Sequence, residues 1–147
     1  ALRMIGEGSL KGYLAYAACP GTQSSGSVSG SPAVECRNGR VVGWCNANDK
    51  RVYPHFSKVG EDGDSRVYAV TCYVIDPLYR RQGIARALLR RAVADAAAAG
   101  YDYFEAYPIE GGETQASHYH GHPELYENEG FTVRLRLGSR LCMRKSL

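Results

Sequence analysis

Two hydrophobic spacings alternate along the middle of this chain. The run RVYAVTCYVI, residues 66–75, is dense in β-branched and aromatic residues and apolar on both faces, as befits a central strand of a sheet. Pro77 ends it, because proline has no N–H to offer a sheet ladder. From residue 84 the period changes. Ile84, Leu88, Ala92 and Ala96 recur at every fourth position beside Ala85, Leu89 and Val93, which draws one apolar stripe on a helix and leaves Arg86, Arg90 and Asp95 off it. Gly100 is the natural stop for that helix. A second buried strand, Tyr101–Tyr107, follows and is closed by Pro108.

Weaker patterns flank this centre. Ala33–Arg37 and Val41–Asn46 are apolar runs on either side of Asn38-Gly39, the preferred centre of a type I′ turn, and predict a β-hairpin. Leu10–Cys19 is mildly apolar and predicts a short helix, residues 20–32 a Gly/Ser/Pro-rich surface loop, and residues 47–65 a polar loop. Beyond the second strand, residues 109–117 are loop, and Gly121 and Pro123 confine a short helix to Pro123–Glu129. The chain closes on a hairpin, Phe131–Leu137 and Arg140–Lys145, turning at Gly138-Ser139. The order of hairpin, strand, helix, strand, helix and hairpin predicts an α/β fold of the α+β kind, a mixed sheet with a strand–helix–strand unit at its centre.

Composition narrows the class. A chain of 147 residues suits a single domain, and 44% hydrophobic with 22% charged residues are globular values. The net charge of +3 says little, but Arg80, Arg81, Arg86, Arg90 and Arg91 crowd one stretch. No aromatic stacking motif or nucleic-acid module accompanies them, so no nucleic-acid partner is expected. Five cysteines, Cys19, Cys36, Cys45, Cys72 and Cys142, lie far apart with no CxxC pair, which argues against zinc and dithiol chemistry. All but Cys19 sit in apolar, strand-like runs and read as buried thiols. Without a signal peptide or an apolar run of spanning length, no membrane partner and a cytoplasmic location are expected. The chain opens on Ala1, not Met, which leaves room for a segment removed ahead of it.

The chemistry gathers at residues 75–86, IDPLYRRQGIAR, where the central strand meets the long helix. Gly83 permits a sharp turn with no Cβ over the amides. Amides from Arg81 to Arg86 fall in the first helical turn, without partners inside the helix and backed by the positive end of its dipole. That is an anion site. Arg80 and Arg81 add charge of the kind suited to bidentate phosphate contacts, and small Ala85 lets a bulky phosphate approach. R-x-x-G-x-A alone is also compatible with an ordinary helix start. A buried strand ending in hydrophobic-x-Pro just before it makes a pyrophosphate cradle the sharper reading.

Here the sequence resembles the GNAT superfamily of N-acetyltransferases. IDPLYRRQGIARALL is similar to that family's acetyl-CoA signature, LYENEGF (Leu125–Phe131) to its second conserved block, and Cys142–Lys145 to its last strand, so the likeness runs from Ala33 to Lys145. The resemblance implies a GNAT-like acyl-CoA N-acyltransferase fold, acetyl-CoA as co-substrate, and direct transfer to a primary amine within a ternary complex. It implies that the backbone of Tyr73, Val74 and Ile75 meets the pantetheine arm. It further implies that Arg80, Arg81, Gln82, Gly83, Ile84, Ala85 and Arg86 hold the pyrophosphate, and that Tyr126 protonates the departing thiolate. A phenol with a pKa of about 10 can serve as that acid. The alternative for Tyr126 is an amphipathic tyrosine that closes the core beside Phe131.

An amine nucleophile also needs a base, and the candidates are Glu105, Glu110, Glu113, His118 and His120. Glu105 is favoured, since a carboxylate inside an apolar strand is unusual and is a candidate for a raised pKa. Strand alternation puts it with Tyr103, opposite Phe104 and Ala106; the alternative is a carboxylate facing solvent or an arginine. HYHGH, His118–His122, carries no acid or cysteine at matching spacing, so no metal is expected, and the loop instead borders the acceptor site. The acceptor is a small-molecule or a peptide amine, and the final hairpin is compatible with a homodimer. The family's members begin with a strand and one or two helices before the hairpin. Here only residues 1–32 precede Ala33, so a shortened or diverged N-terminus is expected within a single domain spanning 1–147. Two other function classes remain: a non-catalytic acyl-CoA-binding regulatory module, and a nucleic-acid binder using Arg80–Arg91.

Overall fold

The computed structural model describes residues 2–5, 12–17, 39–111 and 119–147. Their strands are β1 (Leu2–Ile5), β2 (Gly12–Ala17), β3 (Arg40–Asp49), β4 (Val67–Ile75), β5 (Tyr103–Ala106), β6 (Thr132–Leu137) and β7 (Arg140–Ser146). They form one seven-stranded sheet in the order β1-β2-β3-β4-β5-β7-β6. Neighbours are antiparallel except β4 and β5. A parallel pair needs a crossover, and helix α1 (Ile84–Ala98) supplies it. A second helix, α2 (Pro123–Glu127), leads into β6. This is the α+β sheet that the hydrophobic spacing predicts, with β4–α1–β5 at its centre.

The stripe on α1 finds its partner. Leu88, Leu89, Ala92 and Ala96 are buried in one core with Tyr13, Tyr68, Val70, Phe104 and Met143. Full burial of each leucine contributes roughly 2 kcal/mol. Alternation along β5 sends Phe104 and Ala106 into that core, while Tyr107 joins Ala69 and Cys142 beneath Tyr53, Phe56 and Val59 on the other face. Phe56 stacks on Tyr107 with centroids 3.9 Å apart.

The N-terminal expectations need correction. Leu10–Cys19 does not form the expected helix; residues 12–17 are strand β2, paired to β1 and β3. The reason is period: Tyr13 and Ala15 alternate into the core, and that burial outweighs the helix propensity of an alanine-rich stretch. An initial strand therefore exists where none is legible in the sequence. The expected hairpin is also changed. Its first half, Ala33–Arg37, lies outside the described residues, whereas β3 has β2 along one edge and β4 along the other. β3 also runs on to Asp49, whose side chain accepts from Arg51 N–H and opens a 3₁₀ turn at Lys50–Val52.

One irregularity of the sheet creates the site. β4 and β5 pair only from Val67↔Tyr103 to Val70↔Ala106. Beyond Ala106 the chain stays with β7: Pro108 O accepts from Leu141 N–H at 2.8 Å, and Ile109 bridges Arg140. β4 continues to Ile75 without β5 beside it. The result is a V-shaped gap, opening toward the start of α1. No helix among the described residues is long and apolar enough to cross a membrane. Cys45 and Cys142 are buried free thiols, and burial pushes each up to about 12, so neither presents a reactive thiolate. Cys19 and Cys36 lie outside the described residues.

Candidate active site

The turn from β4 into α1 has the backbone geometry of an anion cradle. Asp76 accepts from Leu78 N–H and starts a 3₁₀ turn at Pro77–Tyr79, which swings the chain away from the sheet. Arg81 then takes a left-handed backbone (φ 59°), and Gly83 does the same (φ 78°). Left-handed residues interleaved with ordinary ones turn successive amides toward one point, an arrangement that suits anions. No side chain caps α1, and its first backbone bond is Ala87 N–H to Gly83 O at 3.0 Å. The amides of Ile84, Ala85 and Arg86 precede that bond and face outward. A Cβ on Gly83 would meet nothing within 4 Å, so the turn is open on that side.

The arginines of this stretch divide. Arg80 and Arg81 are exposed at the cradle, where Arg80 Nε reaches Ile75 O at 3.4 Å. Gln82 Nε2 donates to Leu78 O at 3.3 Å. Arg86 and Arg90 instead grip Glu129, at 3.1 and 2.8 Å, and tie α1 to the segment after α2. Arg91 pairs with Asp95 at 3.1 Å along the helix. At Arg86, then, only the backbone amide is directed to an anion.

Along the gap, backbone direction is set by the β3 pairing. Asp76 N–H donates to Val42 O on β3, whereas Tyr73 N–H donates to Tyr119 O at 2.6 Å on the open side. Backbone groups alternate along a strand, so Tyr73 and Ile75 face the gap and Val74 is turned to β3. Val74 presents a half-exposed side chain and not, as the resemblance implies, its backbone. The residues before α2 cross the gap as a strap. Besides the Tyr119 contact, His120 Nδ1 lies 2.7 Å from Thr71 O. This carbonyl sits just past the last β4–β5 pair.

Tyr126 is fully buried on α2, edge-on to Phe131 at 5.5 Å, and its hydroxyl donates to His120 O at 2.6 Å. Burial raises the phenols of both Tyr126 and Tyr73 well above their ordinary value. The close approach of the strap depends on Gly121. It has φ 77°, and a Cβ there would lie 2.8 Å from the Tyr126 hydroxyl. Of the two readings of Tyr126, the packing shows the one that closes the core beside Phe131, with the hydroxyl bonded to the strap.

Glu105 lies elsewhere. It is on the face opposite α1, wholly buried, and its oxygens receive Lys50 Nζ at 2.9 Å, Tyr107 Oη at 2.7 Å, Arg144 Nε at 2.8 Å and Arg134 Nη1 at 3.2 Å. Asp62 shares Lys50, Arg134 and Arg144 with it. The expectation of a raised pKa is overturned. Burial pushes the carboxyl up, but the hydrogen bonds from Tyr107 and Lys50 and the surrounding cations outweigh it and hold Glu105 below its ordinary range. Glu110 is an exposed partner of Arg136 at 2.6 Å. Glu113 and His118 lie outside the described residues. Among the described residues, no His/Cys/Asp/Glu group could hold a metal. The cluster around Glu105 is invisible in sequence, because Lys50, Asp62, Arg134 and Arg144 come from separate elements with no shared spacing.

Comparison with known proteins agrees with the fold. No curated protein sequence matches the chain. Among solved structures it resembles a GNAT-family acetyltransferase from Listeria monocytogenes, with TM-score 0.60, 14% identity, and 76% of this chain and 60% of that one covered. The chain thus spans less than two thirds of that protein. A GCN5-related N-acetyltransferase from Kribbella flavida gives TM-score 0.60 at 17% identity, covering 98% of this chain and 72% of the other. Arabidopsis thaliana NAA60 in complex with acetyl-CoA gives 0.59 at 16%, covering 96% and 78%. At these identities the likenesses speak to fold. Membership comes from the sequence: residues 13–130 match the acetyltransferase (GNAT) family, and the chain belongs to that family.

Proposed function

We propose that the protein is an acetyl-CoA-dependent N-acetyltransferase that moves an acetyl group to a primary amine by direct transfer in a ternary complex. The observation that carries this reading is the continuity of two features: the edge of β4 that β5 leaves unpaired, held in part by Tyr119 and His120, runs directly into the uncapped start of α1. An extended arm ending in a pyrophosphate matches that pair. The arm takes Tyr73 and Ile75 backbone groups as an added strand, with Val74 packing beside it. The pyrophosphate takes the amides from Gln82 through Gly83, Ile84, Ala85 and Arg86 and the charge of Arg80 and Arg81. That the Arabidopsis relative holds acetyl-CoA supports the choice of donor.

Tyr126 serves as the acid for the departing thiolate. The burial that raises its phenol also raises the proton affinity of a thiolate formed beside it, so proton transfer stays matched. The acceptor is a small-molecule or peptide amine. The test is an amine panel with acetyl-CoA. The acetylated amine is identified by mass spectrometry, and initial-rate lines against both substrates should intersect, as direct transfer requires. Parallel lines would point to an acetyl-enzyme and contradict the ternary complex.

A further inference from the structure

Resting on the transferase reading, we infer that His120 is the general base that deprotonates the acceptor amine. Its backbone and ring are both placed for this. Nδ1 lies 2.7 Å from Thr71 O, and a carbonyl can only accept, so Nδ1 carries the proton. The neutral ring's lone pair is then on Nε2, with its tautomer set by the fold. Thr71 is the first residue of β4 beyond the ladder with β5, so the ring is anchored at the apex of the gap. The ring is half-buried and so keeps a route to water. The carbonyl of the same residue holds the Tyr126 hydroxyl at 2.6 Å, which sets base and acid on one peptide.

Four carboxylates among the described residues are committed. Glu105 is wrapped by Lys50, Arg144, Arg134 and Tyr107 on the opposite face of the sheet. Glu110 pairs with Arg136, Asp76 with Arg40, and Glu129 with Arg86 and Arg90. Beside the strap's contacts, β4 carries Cys72 and Tyr73 and α2 carries Tyr126. Burial keeps all three neutral. None of them competes as a base.

The proton count closes. The ammonium group gives one proton to Nε2, and its nitrogen attacks the thioester carbonyl carbon. As the C–S bond breaks, the thiolate takes the Tyr126 proton. The nitrogen's second proton restores the phenol, and the imidazolium returns its proton to solvent. The products are the amide, the free thiol and one released proton.

The test uses His120→Gln in the full chain, since glutamine keeps a polar amide near the Nε2 position but is not basic. kcat/KM is measured against pH with two acceptors, a strongly basic alkylamine and a weakly basic aryl amine. With the alkylamine the variant should lose about 100-fold in kcat/KM and the acidic limb of its pH profile, with the KM for acetyl-CoA within about threefold. The aryl amine, already unprotonated, should be largely spared. An unchanged acidic limb, or equal losses with both amines, would overturn the assignment while leaving the transferase reading intact. Failure of the wild-type protein to acetylate any amine would remove the reading itself, and the base with it. Circular dichroism and acetyl-CoA affinity of the variant separate misfolding from lost chemistry. If the first variant misfolds, His120→Asn is put through the same two-amine comparison.

Discussion

The main-chain N–H of Tyr73 donates to the carbonyl of Tyr119 at 2.6 Å, across the gap between β4 and the chain that leaves β5. A free strand edge invites any extended partner. Here the protein's own strap takes one position of it, while His120 takes the Thr71 carbonyl. On the proposed reading, a pantetheine arm on β4 would exchange with Tyr119 at Tyr73 and add new bonds further out, toward Ile75.

That exchange is readable amide by amide. In a titration with coenzyme A followed by NMR, the Tyr73 and Ile75 amide signals should shift, and hydrogen exchange at Ile75 should slow by at least about tenfold. Val74, turned to β3, should change little. Protection gained at Val74 but not at Ile75 would contradict the alternation described above.

Gly83→Glu tests the cradle. The new side chain enters space where a Cβ meets nothing within 4 Å, so the core is untouched, but a carboxylate now occupies the phosphate position. The left-handed φ of 78° adds a local cost of about 1 kcal/mol. Like charges set together cost several kcal/mol, so acetyl-CoA affinity should fall by roughly 100-fold or more. Calorimetry that finds wild-type affinity would remove the pyrophosphate assignment.

Tyr126→Phe should lower kcat by about 100-fold while donor affinity stays within about threefold. The ring remains packed on Phe131, so stability changes by only about 1 kcal/mol from the lost bond to His120 O. A wild-type kcat would leave Tyr126 as a core residue alone.

Glu105→Gln should act on stability. Its folded-state carboxyl is held below the ordinary range, so its stabilising contribution is complete above the unfolded pKa of about 4.3 and fades as pH falls through the lower folded value. Removing one partner of a buried ionic cluster costs about 3 kcal/mol. Urea unfolding from pH 7 to pH 3 should show a less stable variant at neutral pH with a shallower acid limb. A variant as stable as wild type, with lost turnover, would return Glu105 to the chemistry.

What the sequence discloses depends on how local the physics is. The β4–α1–β5 unit is legible because residues 66–75 are a continuous apolar run and residues 84–98 carry a period of about 3.6, each matched by burial. The cradle is legible for the same reason, since Gly83 and the helix start are contiguous. β2 is not: Tyr13 and Ala15 become strand residues only because β3 and the core receive them. Glu105 stands out in sequence as an odd carboxylate, but its partners Lys50, Asp62, Arg134 and Arg144 are brought together only by the fold. The strap escapes sequence reasoning altogether, because its contacts run through the backbone of Tyr119 and His120, which leaves no compositional trace.

On the proposed reading the cradle and the gap together transfer an acetyl group to an amine. Its most direct test is thiol release from acetyl-CoA, measured with and without each of a panel of primary amines, for the wild-type protein and for Gly83→Glu. Amine-dependent release is expected from the wild type and none above background from the variant. Tight acetyl-CoA binding by the wild type without release for any amine would contradict it, and would leave an acyl-CoA-binding module in its place.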